Sequence, residues 1–406
     1  MEKVAYLLDG QFIYWRSIIL ACAICCALLA AIGARLLQGQ RLAPLLITMP
    51  LAIIAGLYAS RAIHWYCRFE SYAGFLAAVT DFTGGGYSLM GVFAGVILAC
   101  LLMRALCLTR DLPGLLDAIA PAGALGIAVG RLSDYFSSSD RAKFFLPEAW
   151  QHLPWSAPTV NATSGAVEWR AATFCFQSAW CALLFLFLTL RLVLRFRRVP
   201  AREGWRSGRV FALFMLAYCL AQIVFDSTRY DALFLRSNGF VSLEQIVCAV
   251  VAAAFLALYS VRSIQKNGFR FWHPLLWLGA LAGLGLAGFM EYYVQRHGNL
   301  YLFCYGMMSV GLAVLFCMIQ LMYRSTTVPA SEAGAEAVPE PVPRPEPLPV
   351  AAVAGEPEPR AFAPRQPAAP AAEKPLAEEE YDFSSMSLDD IIREVRADTR
   401  DDAAVH

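Results

Sequence analysis

The chain has 406 residues, 58% of them hydrophobic and only 16% charged, with a mean hydropathy of +0.51. A soluble domain is nearer half apolar and a quarter charged, so this composition excludes an ordinary water-soluble fold, points to no nucleic-acid partner, and belongs to the membrane class. The net charge of +1 averages two opposed regions: residues 325–406 carry 17 acids and 7 bases (net −10), and the residues before them 26 bases and 15 acids (net +11).

The N-terminus mixes Glu2, Lys3 and Asp9, and Arg16 interrupts the first apolar run. That pattern predicts a retained first helix rather than a cleaved signal. About 20 apolar residues suffice to cross the hydrocarbon core. Such stretches occur at 13–34, 43–63, 88–107, 113–130, 172–194, 208–226, 241–261, 272–292 and 300–322. The expected fold class is therefore an all-α polytopic membrane protein with nine spans. The fourth is the most dilute, because Gly114, Pro121, Gly123, Gly126 and Gly130 fall within or beside it. Neighbouring helices must satisfy the backbone that such residues free. Most of the 12 cysteines, such as Cys22, Cys100, Cys219 and Cys248, lie inside apolar runs. There they act as small hydrophobes, and neither a disulfide framework nor a metal site is expected.

Orientation follows from Lys and Arg in the short connections. Arg191, Arg195, Arg197, Arg198, Arg202, Arg206 and Arg209 surround the fifth connection against one acid, Glu203. This loop is expected in the cytoplasm, and the loops with Arg35/Arg41, Arg104/Arg110 and Arg262/Lys266/Arg270 fall on the same side. Nine spans then put the N-terminus outside and the C-terminus inside. Two longer segments, 64–87 and 131–171, face outward, and long connections in membrane proteins often carry function.

Residues 329–377 are dominated by Pro, Ala and Glu and are expected to stay extended and solvated. Beyond them, Leu388, Ile391, Ile392 and Val395 form one helical stripe, opened by Ser387 with Asp390 three residues on. Such a stripe either docks into the groove of a cytoplasmic protein, through residues 386–396, or forms a transient helix without a partner.

Charges at membrane depth are expensive and mark candidate sites. Arg61 and His64 close the second span, Arg131 and Asp134 the fourth, and Gln222, Asp226 and Arg229 the sixth; Glu244 and Gln245 open the seventh. In the orientation above all lie at the outer leaflet. Arg61, Arg131 and Arg229 are candidates to gather round one anionic group, since a guanidinium offers a planar fork to phosphate oxygens. Asp134 and Asp226 would orient them or accept a proton. The same residues read as well as an interhelical salt-bridge cluster, or as arginines reaching back to the interface.

Gly84-Gly85-Gly86-Tyr87-Ser88-Leu89-Met90-Gly91-Val92 resembles the Gly-Gly-x-Ser-Phe-His-Gly-Gly segment of prolipoprotein diacylglyceryl transferases. Leu116-Asp117 through Pro121, then Gly130-Arg131-Leu132-Ser133-Asp134-Tyr135-Phe136, is similar to that family's Leu-Asp…Pro…Gly-Arg-Ile-Gly-Asn-Phe signature. Ile13-Tyr14-Trp15, Ser60-Arg61, Val224 to Asp231 and Ser242-Leu243-Glu244-Gln245 resemble four further pieces in order, over about residues 10–262.

The resemblance implies a seven-span core at 1–265 with an outer cap at about 131–171, two added spans at 266–324, a linker at 325–380 and the helix motif at 381–406. It implies transfer of diacylglycerol from phosphatidylglycerol, a membrane lipid, to the lipobox cysteine of a secreted prolipoprotein, at the outer face of the plasma (inner) membrane of a bacterium and without a cofactor. Arg131, Asp134, Asp140 and Asp226 would carry the chemistry. Arg61, Ser88, Gly91, Gly130, Gln222, Arg229 and Gln245 would bind substrate.

Several polar positions of the family differ here: Met90 stands for its histidine, Asp134 for asparagine, Ser139 for glutamate, Gln222 for arginine and Arg16 for tyrosine. Arg16, Asp140 and His64 are the available compensations. A non-catalytic relative, binding lipid or assembling partners through its tail, is the competing reading. A transporter is a third, but no inverted repeat or acidic relay supports it.

Overall fold

The computed structural model describes residues 4–8, 11–80, 86–109, 111–137, 140–160, 165–198, 208–235, 238–298 and 300–327. The chain divides into two units after Ala337. The second, Val338–His406, with the predicted linker and the 386–396 helix motif, lies outside the described residues, as do Arg110, Ser139, Arg202 and Arg206.

A hairpin of β1 (Val4–Leu8) and β2 (Gln11–Tyr14) leads into α1 (Trp15–Leu37). Then come α2 (Ala43–Cys67), the short α3 (Phe75–Thr80), α4 (Leu89–Ala105) and α5 (Leu112–Arg131). The antiparallel strands β3 (Arg141–Phe145), β4 (Ser156–Val160) and β5 (Val167–Ala172) follow, ordered β3-β5-β4. The chain continues through α6 (Thr173–Arg198), α7 (Arg209–Thr228), the small hairpin β6 (Phe234–Leu235) and β7 (Asn238–Ser242), α8 (Leu243–Asn267), α9 (Trp272–His297) and α10 (Tyr301–Thr327). Among the described residues helices carry the spans, and the strands lie before the first helix or in the connections.

Eight of these helices are long and apolar enough to cross a membrane. The third expected span, 88–107, is the shorter α4, a 17-residue helix. At 1.5 Å per residue it reaches about 26 Å, a few ångströms under the hydrocarbon thickness. Large apolar side chains on many helices point outward, among them Leu29 on α1, Leu183 on α6 and Leu278 on α9. In water these would be a liability; against lipid they are the expected surface.

Small residues do the inward packing, because lipid tails supply no hydrophobic drive and helices gain only by close approach. α5, the dilute fourth span, buries Ala118, Ala120, Pro121, Ala122, Ala124 and Ala128 against neighbours that include α1, α6 and α7. A Cβ on Gly91 of α4 would come within 2.4 Å of the Ser60 Cα on α2, and one on Gly95 within 2.5 Å of the Ala55 backbone. Gly283 of α9 and Gly311 of α10 meet carbonyl to Cα in the same way. Ala280, Ala287, Met308 and Leu312 of this last pair share one apolar core with Leu216, Cys248 and Leu256 of α7 and α8.

Candidate functional site

Helix ends and strand roots bring the predicted charges together at one end of the bundle. Arg131 is the last residue of α5 and Asp134 lies in the 3-10 turn that follows. Asp140 leads into β3, Asp226 sits in the last turn of α7, and Arg229 caps that helix. An isolated bridge between Ala142 and Arg229 ties the sheet to the end of α7, and Tyr230 N–H donates to the Arg141 carbonyl at 3.1 Å.

Asp140 is the hub. One of its oxygens accepts from Arg131 Nη1 and the other pairs with Arg229 Nε. Its N–H donates to Asp231 Oδ2 at 3.2 Å, and its carbonyl accepts from Phe174 N–H at 3.3 Å. The residue adopts a left-handed backbone (φ 55°), which aspartate tolerates better than most residues. Such a conformation persists only where its surroundings over-determine it. Arg131 also pairs with Asp134 at 3.4 Å, and Arg16 reaches Asp134 at 3.9 Å. Arg229 reaches Asp231 at 3.2 Å, Asp226 at 3.5 Å and Glu244 at 3.8 Å.

Burial pushes the Asp140 carboxyl upward, but Arg131 and Arg229 together outweigh it and hold the group below the ordinary carboxylate range. Burial likewise works against charge on Arg229, and Asp140, Asp231, Glu244 and Asp226 more than compensate, so the guanidinium stays charged. The named groups amount to three guanidiniums facing five carboxyls.

A chain of amides runs beneath this cluster. Gln177 Nε2 donates to Gln222 Oε1 at 2.9 Å, and Gln222 Nε2 donates to Glu244 Oε2 at 2.9 Å. Ser242 Oγ donates to Asp226 Oδ2 and accepts the Gln245 N–H at 3.1 Å, while Gln245 Oε1 accepts the Ser242 N–H at 3.0 Å. This reciprocal capping box fixes the start of α8 beside the end of α7. Gln245 Nε2 donates to the Ile223 carbonyl at 3.2 Å, so Gln245 braces two helices.

Arg61 is held elsewhere. Its Nε donates to the Ala78 carbonyl at 2.8 Å and its Nη1 to the Gly86 carbonyl at 3.0 Å, with its guanidinium over the rings of Tyr72 and Tyr87. It ties Tyr72, Ala78, Gly86 and Tyr87 to α2, whereas Arg131 and Arg229 share Asp140; the expected trio of arginines resolves into a pair and this separate anchor. His64 Nδ1 joins the Tyr72 hydroxyl at 2.9 Å in the same anchor. Of the anticipated compensations, Arg16 and Asp140 enter the charged cluster and His64 bonds within the Arg61 anchor. Ser88 is buried, with its hydroxyl unbonded among the described residues, and Gly91 serves the α2–α4 crossing. Gly130 faces Ala23 and Leu20 at ordinary contact distance. Met90 is buried in the core.

Sequence reasoning passes over Gln177, Tyr218 and Asp231, and singles out Glu244 as a charge at membrane depth without giving it a role. Tyr218 on α7 is buried, and its hydroxyl meets no hydrogen-bond partner among the described residues. A glutamine or glutamate inside an apolar run is the signal that marks Gln177 and Glu244. Among the described residues no group of His, Cys, Asp and Glu is arranged to hold a metal ion.

A polytopic helical membrane protein with a buried charged site, where helix ends meet a small sheet, is the class that this fold and cluster define. Residues 3–261 match the family model of prolipoprotein diacylglyceryl transferase, and the chain belongs to that family. It is 24% identical over 275 residues to the phosphatidylglycerol–prolipoprotein diacylglyceryl transferase of Finegoldia magna, covering 66% of this chain and 100% of that one. The Parasynechococcus marenigrum enzyme of the same name is 27% identical over 253 residues, covering 58% and 85%. That of Synechococcus elongatus is 28% identical over 225 residues, covering 53% and 72%.

Proposed function

We propose that this chain transfers the diacylglyceryl group of phosphatidylglycerol to the lipobox cysteine thiol of a prolipoprotein, at the outer face of a bacterial plasma membrane. The reading places the N-terminus outside and the C-terminus in the cytoplasm, as the arginine-rich connections favour. One observation carries it: two largely shielded guanidiniums, on the ends of α5 and α7, converge on a single buried carboxylate. A phosphate that displaced Asp140 would meet both forks at once, and planar bidentate recognition of phosphate is what arginine supplies.

The chemistry then balances simply. The cysteine thiolate attacks the glycerol carbon that bears the phosphoester oxygen; the C–S bond forms as the C–O bond breaks, and glycerol phosphate leaves with the electron pair. Arg131 and Arg229 stabilise the departing phosphate where its charge develops. The thiol proton passes to a carboxylate, Asp134 or Asp226, because Met90 cannot take it. In proteoliposomes of phosphatidylglycerol, the wild-type chain is expected to modify a lipobox peptide, and Arg131→Ala to abolish transfer. Absence of turnover with retained phosphatidylglycerol binding would instead favour a non-catalytic lipid-binding relative. Occupation of both guanidiniums by carboxylates, with Met90 and Gln222 untitratable, is what speaks for that second reading.

A further inference from the structure

The helix pair α9–α10 lies beyond the stretch that matches the family, yet it reaches the charged cluster from behind. Glu291 of α9 is buried, and its Oε2 accepts from Ser227 Oγ, the residue next to Asp226. Its Oε1 accepts from Gln295 Nε2 at 2.8 Å, so both oxygens are engaged. Tyr305 of α10 donates its hydroxyl to the Ser227 carbonyl at 3.4 Å. The last turn of α7 is thus gripped at side chain and backbone by two helices outside the family core.

The same pair also supports the strand that carries Asp140 at its root. Phe144 of β3 lies against Tyr301 and Tyr305, with ring centroids 5.2 and 6.4 Å apart. Val224 and Met290 complete this apolar contact with Val294 and Cys304. Lys143, also on β3, feels the charges of Glu291 and Asp226 together, while burial pushes its ammonium down. Both halves of the Asp140–Arg229 pair therefore rest on one support.

We infer that Glu291 is a positioning residue: through Ser227 it sets the end of α7, and with Tyr305 and Phe144 it fixes Asp226 and Arg229 relative to Asp140. The activity arm of its test rests on the transferase reading above; the structural arm does not. A displacement of about an ångström at a reacting centre can cost on the order of a hundredfold in rate, so a loosened support is read in kcat.

The test uses the full chain in phosphatidylglycerol nanodiscs. Glu291→Ala is expected to lower kcat on the order of tenfold with KM held within about twofold. Glu291→Gln, which keeps an acceptor for Ser227, restores most of the rate. Hydrogen–deuterium exchange is measured in parallel on the same variants. Glu291→Ala is expected to raise exchange at 223–231 and 140–145 and to leave α2 and α4 as in wild type. Unchanged exchange in those two segments overturns the inference, and so does a rise spread over the whole bundle, which would mark general destabilisation. A wild-type chain without turnover would sink the proposed activity, while the exchange pattern still decides on Glu291.

Discussion

Asp140 gives the sharpest test of how the cluster is held. Its carboxylate is buried between Arg131 and Arg229, both themselves largely shielded. Removing one partner of a buried pair costs about 3–5 kcal/mol, because the remaining charge is left in low dielectric. Here Asp134 at 3.4 Å and Asp231 at 3.2 Å still face the two guanidiniums, which favours the low end. For Asp140→Asn the expected loss is about 3 kcal/mol. At about 2 °C per kcal/mol for a chain of this size, the melting temperature falls by about 6 °C. Asparagine accepts the left-handed backbone of residue 140; alanine does not, so Asp140→Ala should lose about 1 kcal/mol more.

The dependence on pH has a fixed sign. The folded pKa of Asp140 is depressed, so its stabilisation is fully present above the unfolded value of about 3.9 and fades as pH falls through the lower folded value. Thermal unfolding in detergent, followed by tryptophan fluorescence, should show the gap between wild type and Asp140→Asn constant from pH 8 to about 5, closing only below about 4. Equal melting temperatures at pH 7, or a gap already closed at pH 6, would refute the assignment of Asp140 as the shared counter-ion.

Two packing predictions stand apart from the chemistry. Gly91→Ala or Gly95→Ala should lower stability by about 3 kcal/mol, since the new Cβ meets backbone rather than a side chain that can swing away; unchanged thermal unfolding would mean α2 and α4 cross elsewhere. Asp117 of α5 accepts from the N–H groups of Gly208 and Phe211, each at 2.8 Å, and so caps the start of α7 from a neighbouring helix. Asp117→Ala should cost about 2 kcal/mol, with increased proteolysis near Arg209 as a second readout; Asp117→Asn, which keeps one acceptor, should recover about half.

The spans were legible because hydropathy reports lipid exposure, and it fails where exposure ends. α5 reads as dilute because of its glycines and Pro121, and its small residues are the ones it buries against its neighbours. α9 runs on to His297, past the expected span 272–292, and Glu291 inside that span is buried against Ser227, a contact hydropathy does not report. The segment 131–171 reads as a loop by composition. Its three-strand sheet depends on pairings such as Arg141 with Ala172, which bring together residues far apart in sequence.

The site was legible by charge but not by partnership. Cost at membrane depth singles out Arg61, Arg131 and Arg229 alike, and nothing in their spacing tells a phosphate ligand from an anchor. Geometry separates them: Arg61 donates to carbonyls of its own loop, whereas Arg131 and Arg229 end two different helices on one carboxylate. The Ala78 and Gly86 carbonyls are backbone acceptors, the first within α3 and the second just before α4. The carboxylate of Asp140, at the root of a strand, is instead a side chain shared between the ends of two helices. That difference, invisible in the sequence, is what sets the pair apart from the anchor.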